Sequence, residues 1–310
     1  ITKYFLKKRY KIKCLDNLIY NQSISFNLKK NNYKFILKDL RKTNQLKTIL
    51  KKEENIVILA GLVGDPITKK YPKLAESINY KGIKNLIAEC KNYKNIKRLV
   101  FVSTCSNYGI GKGKKLLDEQ SPLKPLSLYS KQKVRIEKYL LEQKKINYSP
   151  TILRFATAFG ISPRMRFDLT INHFTKSFLE KKTLEVFDLK TARPYCHVLD
   201  FARSIDKVLN IDKKKVYKEV FNIGSNQNNY TKKQIINRIS RLVTKPRLVY
   251  LKGDVDKRDY KVNFNKSKKI LNFKPRYSIN HGIKEIKNFF KKKKNLKTQE
   301  YGNYYIKKIN

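Results

Sequence analysis

The sequence predicts an α/β fold: a doubly wound parallel sheet followed by a smaller C-terminal α/β lobe. Two observations point there. Up to residue 160, short β-rich runs alternate with helical patterns, which indicates a parallel sheet with helices on both faces. Two of those runs, VILA (57–60) and LVFV (99–102), are continuously apolar, as a strand buried on both faces must be.

Taken in order, YKIKCL (10–15), YKFILKDL (33–40), NIVILAG (55–61), RLVFVST (98–104) and PTILRF (150–155) read as strands. Residues 44–52, 74–94 and 127–145 read as helices. In the second of these Leu74, Ile78, Ile83, Leu86 and Ile87 share one side. Beyond residue 160 the rhythm loosens. SPRMRFD is a loop, 168–181 a helix, TLEVFD (183–188) a strand, 198–210 a helix and YKEVFNIGS (217–225) a strand. Residues 231–243 form a helix with Thr231 as N-cap, and 280–290 the last helix. The expected organisation is a sheet domain over 1–162 and a smaller lobe over 163–290. Residues 198–225 return to the sheet, and 291–310 form a basic tail.

Lys and Arg number 72 and Asp and Glu 24, so the net charge is 72 − 24 = +48. Such a charge favours anionic partners, but the lysines are spread along the chain together with abundant Asn, Ile, Tyr and Phe, as AT-rich coding would produce. No specific nucleic-acid partner is expected. No apolar run approaches the ~18 residues of a membrane span. Cys14, Cys90, Cys105 and Cys196 form no C-x-x-C pair and none has a histidine at ligand spacing. No metal site or disulfide framework is expected, and the compartment reads as cytoplasmic.

Tyr129 and Lys133, in SLYSKQK, are spaced i, i+4 and so share a helix face. A tyrosine base needs a neighbouring cation to depress its pKa from about 10. The same spacing recurs at Tyr4/Lys8, Tyr80/Lys84, Tyr93/Lys97, Tyr108/Lys112 and Tyr304/Lys308. Only Tyr129 combines a helix start, set by Pro122, Pro125 and a capping Ser127, with an upstream buried strand ending in Ser103 and Thr104. This places hydroxyl, Tyr and Lys together at the C-terminal edge of a parallel sheet, where α/β folds bind ligands. His197 is expected to be packed, His173 and His281 exposed. Arg164 and Arg166 either contact phosphate or are solvated.

The series NIVILAGLVGDP, RLVFVSTCSNYG, LYSKQK, TILRFATAFG with SPRMRFD, ARPYCHVLD and FNIGS resembles the extended short-chain dehydrogenase/reductase superfamily. More narrowly it resembles the NAD-dependent sugar-nucleotide epimerase/dehydratase family. The resemblance implies a Rossmann-like sheet, an NAD cofactor, a nucleotide-sugar substrate and a homodimer joined through helices 74–94 and 127–145. It implies Tyr129 as catalytic base, Lys133 as the residue that binds the nicotinamide ribose and lowers the Tyr pKa, and Thr104 as partner of the sugar hydroxyl. On the cofactor side it implies Asp16 at the adenosine ribose, Asp39 and Leu40 beside adenine, and Ala60 and Gly61 where the backbone approaches the cofactor. An acid at Asp16 favours NAD over NADP. Arg193, and more loosely Arg258, match clamps for the substrate diphosphate, which a planar guanidinium suits.

The sequence departs from the family in one respect. Its opening, ITKYFLKKRYKIKCLDN, carries no G-x-x-G-x-x-G turn, the element that holds a pyrophosphate at a helix N-terminus. It reads as the end of a first helix running into the family's second strand, so the expectation is a chain lacking the first strand and turn, with NAD binding weakened accordingly. Cys105 and Ser106 stand where sugar-dehydrating relatives carry carboxylates, which disfavours 4,6-dehydration, and 4-epimerisation asks for no extra base. Two other readings stand beside it: a reductase or dehydrogenase of the same superfamily on a non-nucleotide substrate, and a noncatalytic polyanion-binding protein on this scaffold.

Overall fold

The computed structural model describes residues 1–20, 28, 30–111, 115–251, 258–292 and 301–306. The first helix, α1 (Thr2–Lys7), leads into β1 (Ile12–Asp16), which pairs in parallel with β2 (Tyr33–Leu37). The expected helix at 44–52 is a 3₁₀ turn, Thr43–Leu46, running into a single turn, α2 (Lys47–Leu50). Then come β3 (Asn55–Ile58), α3 (Asp65–Lys70) and α4 (Pro72–Ala75). The long helix expected over 74–94 is interrupted: a π-helical stretch, Glu76–Gly82, separates α4 from α5 (Ile83–Cys90). Next are β4 (Arg98–Thr104), α6 (Leu128–Leu141) and β5 (Ser149–Phe155).

β3, β4 and β5 are parallel neighbours, and the ladder is completed by a strand from far down the chain, β9 (Glu219–Ile223), in the order β3-β4-β5-β9. The β1–β2 pair forms its own ladder, and among the described residues no backbone pairing joins β1 to β3. The two ladders nevertheless share one layer. Leu15 and Ile56 pack into the core on one face, and Ile12 and Val57 pack into the core on the other.

The remaining elements follow β5, and of them β9 returns to the sheet. They are β6 (Thr157–Phe159), α7 (Thr170–Leu179), β7 (Leu184–Phe187), β8 (Ala192–His197), α8 (Val198–Asn210), β9 (Glu219–Ile223), β10 (Asn229–Thr231), α9 (Lys232–Ser240), β11 (Leu248–Leu251), α10 (Asn265–Ile270) and α11 (Ile279–Lys292). β8 lies between β6 and β10, and β7 pairs with β11. The apolar faces of α7, α9 and α11 close a third core around Phe174, Phe178, Ile235 and Ile283. Local signals set several boundaries. Ser127 caps α6 in a capping box with Ser130, and Thr231 caps α9 in one with Gln234. The three-residue strands β6 and β10 were not separately legible, being too short to show a period.

Residues 301–306 depart from the solvated tail expected there. The Phe167 amide donates to the Tyr301 carbonyl, and Asn303 bridges Arg164 and the Val63 carbonyl. Lys293 and Lys294 of the expected basic block lie outside the described residues. No described helix is long and apolar enough to cross a membrane.

Beneath the C-terminal edge of the sheet lies a buried ion pair. Arg154 on β5 donates from Nη2 to Glu137 Oε2 on α6 at 2.7 Å, with the side chains 6% and 2% exposed. Removing one member strands a buried charge. Glu137→Ala is therefore expected to lower unfolding stability by about 3–5 kcal/mol in urea denaturation. A loss below about 1 kcal/mol, the range of exposed pairs, would show that water reaches Arg154.

Candidate active site

Helix α6 is held against β4 by its own side chains. Lys133 Nζ donates to the Val102 carbonyl at 2.7 Å, and Ser103 Oγ donates to Glu137 Oε1 at 2.5 Å. These contacts carry the first turn of α6, with Tyr129, to the strand end occupied by Thr104. Thr104 is nearly buried, and its Oγ1 accepts the Ser106 amide at 3.1 Å.

Among the described residues the Tyr129 hydroxyl makes no hydrogen bond to protein, although the residue is 8% exposed. The competing tyrosines are engaged elsewhere. Tyr4 donates to Asp206, Tyr93 to Glu89, and Tyr108 to Asp118 and Asn222, while Tyr80 lies under the Arg135 guanidinium. Lys112 and Lys308, of two competing pairs, lie outside the described residues.

Burial pushes the Tyr129 phenol up, Arg166 and Arg258 pull it down, and Asp65 and Tyr260 push it further up. The cations acting on Tyr129 therefore differ from the one expected. Lys133 Nζ is 5.9 Å from the Tyr129 ring centroid, 4.5 Å from that of Phe101, and bonded to a carbonyl. Burial lowers the Lys133 ammonium to about 7, and the Glu137 carboxylate opposes that shift.

The two expected diphosphate clamps meet. Arg193 Nη1 donates to the backbone carbonyl of Arg258, and the Arg193 guanidinium lies over the Tyr260 ring at 5.0 Å. Tyr260 in turn donates to Ser106 Oγ at 3.4 Å. Arg258 Nη1 pairs with Asp65 Oδ2 at 2.9 Å, and Arg166 with Asp168 at 2.5 Å. Sequence reasoning passed over Asp65 and Tyr260. The only signal at Asp65 was an acid between Gly64 and Pro66, immediately after a buried strand.

On the cofactor side Asp16 ends β1 and accepts the Leu18 amide at 2.7 Å. Asp39 and Asn17 line a cleft with Leu18, Leu37, Arg41 and Leu74. Burial would raise the Asp39 carboxyl, but the Arg41 guanidinium and Asn17 hold it down at about 2. Leu40, expected beside adenine, is buried in the core and faces Gly82. Ala60 and Gly61 follow β3, and the loop is pinned by Asn79, which bonds both backbone groups of Leu62. A Cβ on Gly61 would lie 2.9 Å from Asn79 Oδ1 at φ +150°. Asn79 sits in the π-helical stretch, an irregularity often found at functional sites. An acid at a strand end beside a cleft fits an adenosine ribose. The given sequence supplies no Gly-rich turn for the pyrophosphate.

Other sequence-selected residues are structural. Arg164 bonds Asn303 and the Gly302 carbonyl and covers Tyr20 at 4.4 Å. Cys105 is buried, with Sγ on the Arg154 carbonyl, and burial pushes its thiol up. His197 is fully buried against Glu285, while His173 and His281 are exposed.

Residues 1–224 match the model of the NAD dependent epimerase/dehydratase family. The chain is 29% identical over 306 residues to a UDP-glucuronate 4-epimerase of Thermodesulfobacterium geofontis, covering 94% of this chain and 92% of the relative. Its fold is that of a UDP-glucuronic acid 4-epimerase from Bacillus cereus solved with UDP-glucuronic acid and NAD (TM-score 0.83, 23% identity, 94% of each chain). It is also similar to a dTDP-glucose 4,6-dehydratase from Bacillus anthracis in complex with NAD (TM-score 0.80, 27% identity, 94% of this chain and 92% of that one).

The Lys133 environment has a measurable consequence. From about pH 7 to its ordinary value of 10.5, the unfolded chain holds a proton on this residue that the folded chain has released. Stability is therefore expected to rise with pH across that window. Lys133→Met should flatten the rise in denaturation curves taken from pH 7 to 10. An unchanged slope would show that Lys133 stays charged.

Proposed function

We propose that this chain, which belongs to the NAD dependent epimerase/dehydratase family, is a nucleotide-sugar 4-epimerase acting on a UDP-hexuronate. The observation that carries the reading is the Tyr129 phenol, free of hydrogen bonds to protein among the described residues, on the first turn of a helix bonded to the end of β4 and within the fields of Arg166 and Arg258. The UDP-glucuronate 4-epimerase relative supports the substrate class. Cations beside the reacting carbon suit an anionic sugar.

In this reading Tyr129, as tyrosinate, removes the proton of the sugar 4-hydroxyl, and Thr104 holds that hydroxyl in line. The chemistry that NAD would supply when bound is reversible uptake of the hydride from that carbon. Tyr129 then gives its proton back to the oxygen on the opposite face. Arg193 and Arg258 hold the diphosphate, so the pyranose can turn about a fixed anchor. Asp16 and Asp39 would hold the adenosine end and Lys133 the nicotinamide ribose. The Lys133 ammonium leaves the Val102 carbonyl to do so.

Supporting a homodimer, the π-helical stretch and α6 present a joint surface where Arg135 bridges Tyr80 and Glu76. A cytoplasmic location is supported by the four cysteines, all unpaired.

Tyr129→Phe is expected to lower interconversion of UDP-glucuronate and UDP-galacturonate by about 10²–10⁴-fold, the range for loss of a positioned acid/base, with an unchanged circular-dichroism spectrum. The assay is epimer separation by chromatography with added NAD. Full activity in the variant, or turnover confined to free carbonyl compounds, would overturn the reading.

A further inference from the structure

The Asp65 carboxylate, on a helix packed against α6, pushes the Tyr129 phenol up. Its two oxygens differ. Oδ2 is held by Arg258 at 2.9 Å, whereas Oδ1 is shut off from solvent and has no hydrogen-bond partner. A buried acceptor left unpaired costs about 1–3 kcal/mol, so such an atom at a binding site marks the place where a ligand brings a donor. The carboxylate is fixed rather than mobile. The preceding Gly64 has φ +116°, Asp65 and Pro66 are the first two residues of α3, and Thr68 Oγ1 bonds the Gly64 and Asp65 carbonyls.

The donor's chemistry follows from its surroundings. An ionised diphosphate carries no hydrogen to donate, and neither does a carboxylate. The uracil donor belongs beyond the diphosphate, away from the phenol. The nicotinamide ribose hydroxyls belong on the Lys133 side, whereas Asp65 is paired with Arg258 on the side of the diphosphate clamp; the donor on that side is a pyranose hydroxyl.

Building on the proposed function, we propose that Asp65 is a specificity-determining residue that reads the sugar. Oδ1 accepts a hydrogen bond from a pyranose hydroxyl while Arg258 holds Oδ2. The pair thereby distinguishes a nucleotide sugar from the bare nucleotide and fixes one face of the ring against Tyr129.

The test is calorimetric titration of the full chain, with NAD present, by UDP-glucuronate and separately by UDP. Wild type is compared with Asp65→Ala and Asp65→Asn. Asp65→Ala is expected to weaken UDP-glucuronate binding by about 10–100-fold, the loss of one charge-assisted hydrogen bond, and to leave UDP binding within about twofold. Asp65→Asn, which keeps an acceptor and guards against misfolding, should fall between. Equal changes for both ligands would reduce Asp65 to a counter-ion of Arg258 and overturn the assignment, as would no change for either. Wild type that binds neither ligand would sink the nucleotide-sugar reading and the Asp65 assignment together.

Discussion

The site depends on one buried carboxylate. Glu137 accepts hydrogen bonds from Ser103 at the end of β4, from Asn107 in the following 3₁₀ turn and from Arg154 on β5. Arg154 continues to Tyr108, whose hydroxyl reaches Asn222 on β9. One charged group on α6 thus ties the helix to three parallel strands at the edge where their ends open. A network this dry is costly if any member is missing, and specific when all are present. Lys133 and Tyr129 lie one and two turns closer to the start of the same helix, so their heights above the sheet follow from where Glu137 is anchored.

Around Tyr129 two opposing requirements are balanced. Excluding water strengthens every interaction with the phenol oxygen, but it also raises the energy of the tyrosinate. The guanidinium groups that relieve this are themselves paired with acids, Arg166 with Asp168 and Arg258 with Asp65. Each pair is close to neutral until a ligand competes for one member. The large net charge of the chain therefore says little about the site, where cations are counted against nearby acids.

The sheet itself is made of two ladders, β1–β2 and β3-β4-β5-β9, held in one layer by shared cores rather than by continuous backbone pairing. The cofactor-side residues are divided between them. Asp16 ends β1 and Asp39 follows β2 of the first ladder, while Ala60 and Gly61 follow β3 of the second and Lys133 stands on α6 against β4. Among the described residues, shared cores and the Lys13–Glu53 ion pair, rather than backbone pairing, set the distance between those halves.

What the sequence by itself determined is what neighbouring residues settle among themselves. The buried run 98–104, the helix at 198–210, the caps Ser127 and Thr231 and the Tyr129–Lys133 spacing depend on periodicity and local hydrogen bonds, and all stand where the pattern puts them. The long helix over 74–94 was only partly legible, because its π-helical turn follows from Asn79 reaching across to Leu62. The tertiary structure alone decided where charges and donors point: Lys133 to the Val102 carbonyl, Leu40 into the core, Arg193 to the Arg258 backbone, Asp65 to the Arg258 side chain. These partners are remote in the chain or unrelated to any period. A long side chain chooses among many rotamers by the packing and dielectric around it, and no local pattern encodes that choice.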